Sequence, residues 1–227
     1  MWSKEKIQDW YDDHKWLVGC NYLPSSAINQ LEMFQEDSFD ADTNKREVGW
    51  ARDVGFNSLR IYLHDLLWQD KESFKKRLNE ILSLCSDHNI KPILVLFDDC
   101  HRPFPKLGKQ PLPVRGVHNS GWKQSPGHEI VRDIAKGNKE EEARLKLFTQ
   151  EILDDFRDDE RILLWDLYNE PGQFGIGDES NILLSKVWDW AFDVRPSQPL
   201  TACLNGTIGD KNIPVSYTHL RAHETSI

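Results

Sequence analysis

Residues 162–171 read Ile-Leu-Leu-Trp-Asp-Leu-Tyr-Asn-Glu-Pro, and this stretch decides the fold class. A short apolar run ends abruptly in Asn169-Glu170-Pro171. The run predicts a buried strand that ends at Pro171, because proline has no N–H to donate to a continuing ladder. A carboxylate and an amide would then lie together at the rim of a sheet. An isolated Asn-Glu-Pro would be interpreted as a polar turn, but a preceding buried strand favours a catalytic site.

The bulk properties of the chain exclude several classes of protein. Its 227 residues suit one domain with a sizeable core. The formal net charge of -9 argues against nucleic acid and anionic membranes as partners. No apolar run approaches the roughly 20 residues that span a bilayer, and the first residues carry no signal-peptide pattern. If the N-terminus is authentic, we expect a cytoplasmic protein.

Strand-like and helix-like patterns alternate along the chain. The helix predicted for residues 71–88 is the clearest, since Phe74, Leu78, Ile81 and Cys85 recur at three- and four-residue steps. Apolar strands that alternate with amphipathic helices predict a parallel sheet covered by helices. The predicted strands are 16–22, 56–63, 92–98, 162–168 and 200–205, and the predicted helices are 43–54, 71–88, 140–156 and 181–193.

Polar side chains gather where each predicted strand ends. In a TIM barrel these ends meet at one face and form the active site, so this pattern favours an α/β TIM (β/α)8 barrel of which about five βα units are present. The sequence lacks GxGxxG and GxxxxGK[ST] motifs, although a doubly wound sheet remains an alternative. The strand-end residues are Asn21, Tyr22, His64, Asp65, Asp98, Asp99, Asn169, Glu170 and Asn205.

The segment 99–139 is too long for a plain connection. It follows the third predicted strand and is rich in proline and glycine. We interpret it as a wall or lid of the cleft, with Trp122 and His118 as candidates for touching substrate. The alternative is a surface excursion that packs only on itself.

The four cysteines show no CxxC spacing, so neither structural zinc nor a disulfide framework is expected. Cys20, Cys85 and Cys203 lie in apolar runs, where a thiol packs as a small hydrophobe. A metal-dependent hydrolase remains a rival, because residues 98–101 read Asp-Asp-Cys-His. Adjacent residues on a strand point to opposite faces, which favours a role in hydrogen bonding over metal binding.

Residues 165–171, Trp-Asp-Leu-Tyr-Asn-Glu-Pro, resemble the fourth strand of the clan A glycoside hydrolases. The resemblance extends over residues 16–205 and is strongest to family 5-like cellulases, mannanases and β-1,4-xylanases. It implies that Glu170 is the general acid/base and that Asn169 binds the sugar 2-hydroxyl. It also implies that Arg60 supports the nucleophile. The histidine of the family's third-strand region has no clean counterpart here.

The resemblance implies retaining hydrolysis of β-linked oligo- or polysaccharides, without cofactor or metal. Retaining glycosidases need two carboxyl groups about 5–5.5 Å apart, one as acid/base and one as nucleophile. The alternatives are a non-catalytic carbohydrate-binding barrel or pseudoenzyme, and a barrel of unrelated chemistry. The expected substrate-binding residues are Asn169, Arg60, Asp98, Asp99, His101, Trp122, Asn205 and Tyr22, with Trp68 as a further aromatic candidate.

The family's nucleophile is a glutamate on the seventh strand, and no residue of this sequence can be assigned to it. Residues 215–225 read Val-Ser-Tyr-Thr-His-Leu-Arg-Ala-His-Glu-Thr and match the in-frame translation of a transposase-type sequencing adapter. We therefore expect a partial barrel domain over residues 1–213 and a non-native segment over residues 214–227. A genuine, unusual C-terminus is the alternative.

Overall fold

A computed structural model describes residues 3–204, which form one parallel sheet with helices packed against it. The strands are hydrogen-bonded in the order β1-β2-β3-β4-β5, so each strand pairs with the next one along the chain. A doubly wound sheet would reverse its strand order partway across, and this sheet does not. The strands are β1 (Gly19–Asn21), β2 (Ser58–Tyr62), β3 (Lys91–Asp98), β4 (Leu164–Asn169) and β5 (Leu200–Cys203).

The helices follow the predicted periodicity and bury one face against the sheet. The inner faces of the fourth and sixth helices carry Phe74, Leu78, Phe148 and Ile152, each at most 1% exposed. Short 3-10 helices precede the fourth and seventh helices at Asp65–Asp70 and Gly177–Glu179. The helices are α1 (Lys4–Asp12), α2 (Gln30–Phe34), α3 (Ala41–Asp53), α4 (Lys71–Asp87), α5 (His128–Ala135), α6 (Lys139–Asp155) and α7 (Ser180–Val194).

The first predicted strand was too long, and the long segment after β3 contains a helix that was not predicted. The first strand covers Gly19–Asn21 instead of residues 16–22, and Trp16 before it is 80% exposed. Within residues 3–204, β1 pairs only with β2, and Gly19 approaches Ser58 so closely that an added Cβ would lie 2.0 Å from its carbonyl oxygen. The segment 99–139 contains helix α5, whose eight residues bury only Val131 and Ile134. At eight residues, this helix is shorter than the window of 11–18 residues over which periodicity identifies a helix.

The cysteines divide according to their place in the sheet. Cys85 on α4 is fully buried, as predicted. The prediction was wrong for Cys20 and Cys203, which are exposed. Cys20 lies on β1 and Cys203 on β5. Within the described residues each of these strands pairs with one neighbour, so the sheet leaves both side chains partly uncovered.

The core lies between the sheet and the helices, and three tryptophans belong to it. Trp165, Trp188 and Trp190 are all at most 5% exposed. None of the helices in residues 3–204 combines the length and the apolar character that crossing a membrane requires.

Candidate active site

The carboxyl ends of β2, β3 and β4 bring an arginine, an aspartate and an asparagine into one hydrogen-bonded network. Arg60 Nη2 donates to Asn169 Oδ1 at 2.9 Å, and Asn169 Nδ2 donates to Asp98 Oδ1 at 2.6 Å. Asp98 and Asn169 are also direct partners in the β3–β4 register. The amide of Asn169 is therefore held from both ends, which fixes which of its atoms is the oxygen.

Arg60 is itself held by a residue that the sequence did not single out. Its Nε and Nη2 both donate to Asp166 Oδ2, the former at 3.1 Å, and Nη1 donates to the hydroxyl of Tyr62. Burial raises the pKa of Asp166, while the Arg60 guanidinium acts in the opposite direction. The only sequence signal for this pair was a charged residue inside an apolar strand. The pairing itself could not be inferred from the sequence, because Arg60 on β2 reaches across β3 to Asp166 on β4.

Asp98 accepts four hydrogen bonds and shapes the turn after β3. The backbone N–H groups of Cys100 and His101 donate to it at 3.2 and 3.1 Å, and His101 Nδ1 lies 2.7 Å from Oδ2. A carboxylate acceptor places the proton on Nδ1. Asp98 is 1% exposed and His101 is 5% exposed, so both act mainly by holding their neighbours.

The long loop brings Trp122 onto this network. The backbone N–H of Arg102 donates to the carbonyl of Trp122 at 3.1 Å, and Gln124 donates back to Arg102 at 2.9 Å. The Trp122 ring then lies 4.8 Å from the His101 ring and 5.1 Å, edge to face, from Tyr62. The loop thus packs Trp122 against the residues at the end of β2 and after β3, while His118 is exposed on its surface.

Glu170 is half-buried at the rim, in the left-handed backbone region with a φ of 46°. Its N–H donates to the carbonyl of Cys203 on β5 at 2.7 Å, and its Oε2 accepts from Gln173 Nε2 at 3.2 Å. Such a backbone conformation is costly for a residue other than glycine and persists only where neighbours enforce it. The backbone of Glu170 is therefore positioned by β5 as well as by its own strand.

Asp99 lies on the opposite side of the strand from Asp98 and anchors the loop after Glu170. Its carboxylate is fully buried and accepts from Tyr168 Oη at 3.0 Å, Gly172 N at 2.8 Å and Ser180 Oγ at 2.5 Å. The expectation that Asp99 binds substrate is therefore corrected, because every one of these contacts is internal. Asp99 positions the Glu170 loop instead.

Two other expected substrate contacts fall elsewhere. Tyr22 is buried in the core, and its hydroxyl donates to Asn44 Oδ1 on α3 at 2.8 Å, so this expectation is also corrected. Trp68 packs edge to face on Phe148, and its Nε1 donates to Glu151 at 2.7 Å. Asn205 lies outside the described residues.

The free energy of unfolding should depend on pH through the ionisation of the buried Asp99 carboxylate. Burial raises the pKa of Asp99 to about 7, against about 3.9 in an unfolded chain. Between pH 4 and 7 the folded state therefore binds more protons than the unfolded state, and its stability falls as the pH rises. Each unit of pKa difference corresponds to about 1.4 kcal/mol.

Asp99→Asn should remove this fall in stability, because asparagine does not titrate. Urea unfolding of the parent chain and of Asp99→Asn at pH 4, 5.5 and 7 measures the effect. Equal changes in the free energy of unfolding of the two proteins over this pH range would contradict the role of Asp99. Asp133→Asn on the outer part of α5 is a control and should follow the parent.

No protein-family model and no curated protein matches the chain. Several solved structures do match it in fold. An endo-β-1,4-mannanase from Thermotoga petrophila matches with a TM-score of 0.53 and 15% identity, over 84% of this chain and 43% of that one. A GH5_18 protein from Streptomyces cattleya, solved in complex with GlcNAc, matches with a TM-score of 0.56 and 13% identity, over 81% and 43%.

A third structure, an endo-1,4-β-mannanase from Rhizomucor miehei, has a TM-score of 0.53 and 13% identity, over 78% of this chain and 55% of that one. The chain spans about half the length of these solved structures. The described residues therefore have the α/β fold of the TIM-barrel glycoside hydrolases, in agreement with the sequence-based prediction.

Proposed function

We propose that this chain is part of a glycoside hydrolase that cleaves β-glycosidic bonds in oligo- or polysaccharides by a retaining mechanism. The observation that carries the proposal is the Asn169-Glu170 pair at the carboxyl end of β4, with Asn169 held by Arg60 and Asp98. In a (β/α)8 barrel this is the face where catalytic residues gather. The mannanases among the solved structures of this fold favour a β-linked glycan as substrate.

In this proposal Glu170 is the general acid/base. A carboxyl group at the rim can protonate the departing glycosidic oxygen and later deprotonate the attacking water. Asn169 presents an amide of fixed orientation to a sugar hydroxyl, and Arg60 keeps it so oriented. Trp122 supplies an aromatic wall for a sugar ring, and Tyr62 and His101 hold that wall in place.

The nucleophile is proposed to lie outside the described residues. Asp98 and Asp166 are the other carboxylates in the network, and both are buried and held by internal donors. We propose that residues 1–213 supply the first half of a barrel, that residues 214–227 are non-native, and that a later strand supplies the second carboxylate. By this account the 227-residue chain alone is inactive.

A non-catalytic carbohydrate-binding barrel is the second candidate. The same observation favours it, since Glu170 has no second free carboxylate among the residues of the network described here. Both candidates predict binding of β-linked glycans, and they differ in turnover.

One experiment separates them. The coding sequence that follows codon 214 at the genomic locus is read, and the protein it encodes is assayed with β-mannan, β-glucan and xylan oligosaccharides. We expect hydrolysis with retained β-configuration in the initial product, as followed by NMR. An intact barrel that binds these glycans without hydrolysing them would support the second candidate. Robust hydrolysis by the 227-residue chain would contradict the placement of the nucleophile.

A further inference from the structure

A pocket of about 330 Å³ lies between the segment after β1 and the long loop after β3. Its volume is at the lower end of the range for small-ligand sites, about 300–1,000 Å³. All of the residues that line it are uncharged, whereas pockets elsewhere in the described residues are lined in part by charged side chains. The lining includes Ser25, Ser26 and Ile28 from the first segment and Val117, Asn119 and Trp122 from the loop.

Buried amides lock the two walls of this pocket together. Asn29 is buried, and its Nδ2 donates to Gln110 Oε1 and to the carbonyl oxygen of Gly121, both at 2.9 Å. The next residue, Gln30, donates to the carbonyl oxygen of Lys123 at 2.5 Å. Because these bonds already join the first segment to the loop, the pocket is formed before a ligand arrives, and binding costs little ordering of the chain.

Gly121 sets how closely the walls approach each other. A Cβ at this position would lie 2.5 Å from Ile28 Cγ2, so a larger residue would push the walls apart. On the loop, Ser120 Oγ accepts from the N–H of Val114 at 2.7 Å and donates to the Val114 carbonyl oxygen at 3.1 Å. These bonds close the turn that carries Asn119 to the rim of the pocket.

The lining combines apolar surface with neutral hydrogen-bonding groups. Ile28 and Trp122 supply aliphatic and aromatic surface, and the Asn119 amide both donates and accepts. The Ser25 hydroxyl donates to Glu47 and keeps a lone pair with which to accept a further hydrogen bond. A pyranose ring matches this mixture, because it has apolar C–H faces and uncharged hydroxyl groups. An anionic ligand would find no cationic partner among the lining residues.

Trp122 connects the pocket to the network around Asn169. Its ring lies 5.1 Å from the ring of Tyr62, whose hydroxyl accepts from Arg60, and Arg60 donates to Asn169. Asn119 is exposed at the rim, so the pocket opens to solvent. A ring in the pocket can therefore belong to a longer glycan that extends toward Asn169.

We propose that this pocket binds one neutral pyranose ring of a β-linked glycan, as a subsite away from the bond that is cleaved. The assignment of that glycan as the substrate rests on the proposed function, whereas binding of the ring does not. Contacts made equally in the ground state and the transition state lower KM. A glycan long enough to fill the pocket should therefore have a lower KM than a shorter one.

Binding of mannotriose, cellotriose and xylotriose to the 227-residue chain tests the pocket without hydrolysis. We expect at least one of these trisaccharides to bind, with one ligand per chain in titration calorimetry. Asn119→Gly keeps the left-handed backbone, with a φ of 48°, and removes the amide. It should weaken binding about three- to tenfold, as expected for one lost hydrogen bond. Ser26→Phe places a ring in the pocket and should abolish binding.

Two matched controls lie away from the pocket. Asn89→Gly alters another exposed asparagine in the left-handed region, with a φ of 58°, and Ser86→Phe alters an exposed serine on α4. Both variants should bind the trisaccharides as the parent does. Equal weakening by Asn119→Gly and Asn89→Gly would overturn the pocket. Unchanged binding by Ser26→Phe would also overturn it, since the trisaccharide would then lie elsewhere.

Circular dichroism shows whether each variant has folded, and the complete protein with Glu170→Gln serves in the same titrations where the 227-residue chain does not fold. A folded protein that binds none of the three trisaccharides would overturn the proposal. Tighter binding of trigalacturonic acid, which carries a carboxylate on every ring, than of any neutral trisaccharide would overturn the assignment of a neutral ring.

Kinetics of the complete protein separate the subsite from the proposed function. Asn119→Gly should raise KM for a hexasaccharide by about the same three- to tenfold, and more than for a disaccharide, while Asn89→Gly should change neither value. Binding of β-linked glycans without any hydrolysis would refute the proposed function and leave the pocket standing. Hydrolysis whose KM for the hexasaccharide is the same in Asn119→Gly and the parent would refute the subsite and leave the function standing.

Discussion

Replacing Glu170 with glutamine in the complete protein is expected to lower kcat/KM for β-linked oligosaccharides by about 10²–10⁴-fold, the range typical of lost general acid–base catalysis. The amide has nearly the shape of the carboxyl group but cannot transfer a proton. The half-buried position of Glu170 at the end of β4 gives the amide room without repacking the core. Folding should therefore remain as in the parent.

The dependence on the leaving group makes this test specific for an acid. The 2,4-dinitrophenolate group leaves a β-glycoside without being protonated. Glu170→Gln should therefore slow the first cleavage step of a 2,4-dinitrophenyl β-glycoside far less than that of an oligosaccharide. Glu160→Gln, which alters an exposed glutamate before the amino end of β4, is the matched control and should leave both rates unchanged. Equal losses on the two substrates would show that Glu170 is not the acid.

Replacing Asp65 with alanine is expected to destabilise the fold by about 2 kcal/mol, because the buried carboxylate accepts charge-assisted hydrogen bonds that alanine cannot make, while the partly exposed Arg144 side chain can return to solvent. Asp65 is 1% exposed, and its Oδ2 accepts from Arg144 Nη1 at 2.7 Å. Its Oδ1 accepts from Ser125 Oγ at 3.0 Å and lies 3.0 Å from His64 Nδ1. One carboxylate thus ties the end of β2 to α6 and to the long loop that carries Trp122.

The controls for Asp65 use the same arginine and the same pH series. Glu141→Ala removes the more exposed partner of Arg144 and should cost under about 1 kcal/mol.

Burial alone would raise the pKa of Asp65, but His64 and Arg144 outweigh it and lower the pKa to about 2. The stabilisation is therefore fully present above about pH 4 and is lost as the pH falls toward 2.

Asp65→Ala should therefore reduce the loss of stability as the pH falls from about 4 toward 2. Asp99→Asn should instead reduce the loss of stability as the pH rises from 4 to 7. Urea unfolding of both variants over pH 2–7 distinguishes the two carboxylates. Equal free energies of unfolding for Asp65→Ala and Glu141→Ala at pH 6 would contradict the larger contribution expected from the buried Asp65 carboxylate.

The long elements were readable from the sequence because each obeys a local rule. The 3.6-residue apolar stripe of α4 and the apolar runs of β3 and β4 depend only on which face is buried. The same rule failed for β1, whose strand is three residues long and exposed, and for α5, whose stripe is too short. Cys20 and Cys203 were misplaced because local hydrophobicity does not reveal which strands have only one neighbour in the described sheet.

The site divides in a similar way. Proline after an apolar strand placed Asn169 and Glu170 at a sheet rim, and the resemblance to clan A glycoside hydrolases assigned their roles. The sequence did not show that Asp99 holds Gly172, or that Tyr22 turns into the core. It also gave little indication of Asp166 as the partner of Arg60. Those facts depend on which strands are neighbours and how far a side chain reaches between them.

By itself, the sequence determined the alternation of strands and helices, the end of β4 and the presence of a carboxylate at that end. These follow from hydrophobic periodicity and from the missing N–H of proline, which act within a few residues of the chain. The tertiary structure alone decided the order of the five strands and the clamp on Asn169. It alone also gathered Asp98, Cys100 and His101, since these contacts arise only when separate strands align their carboxyl ends and a turn folds back on its own aspartate.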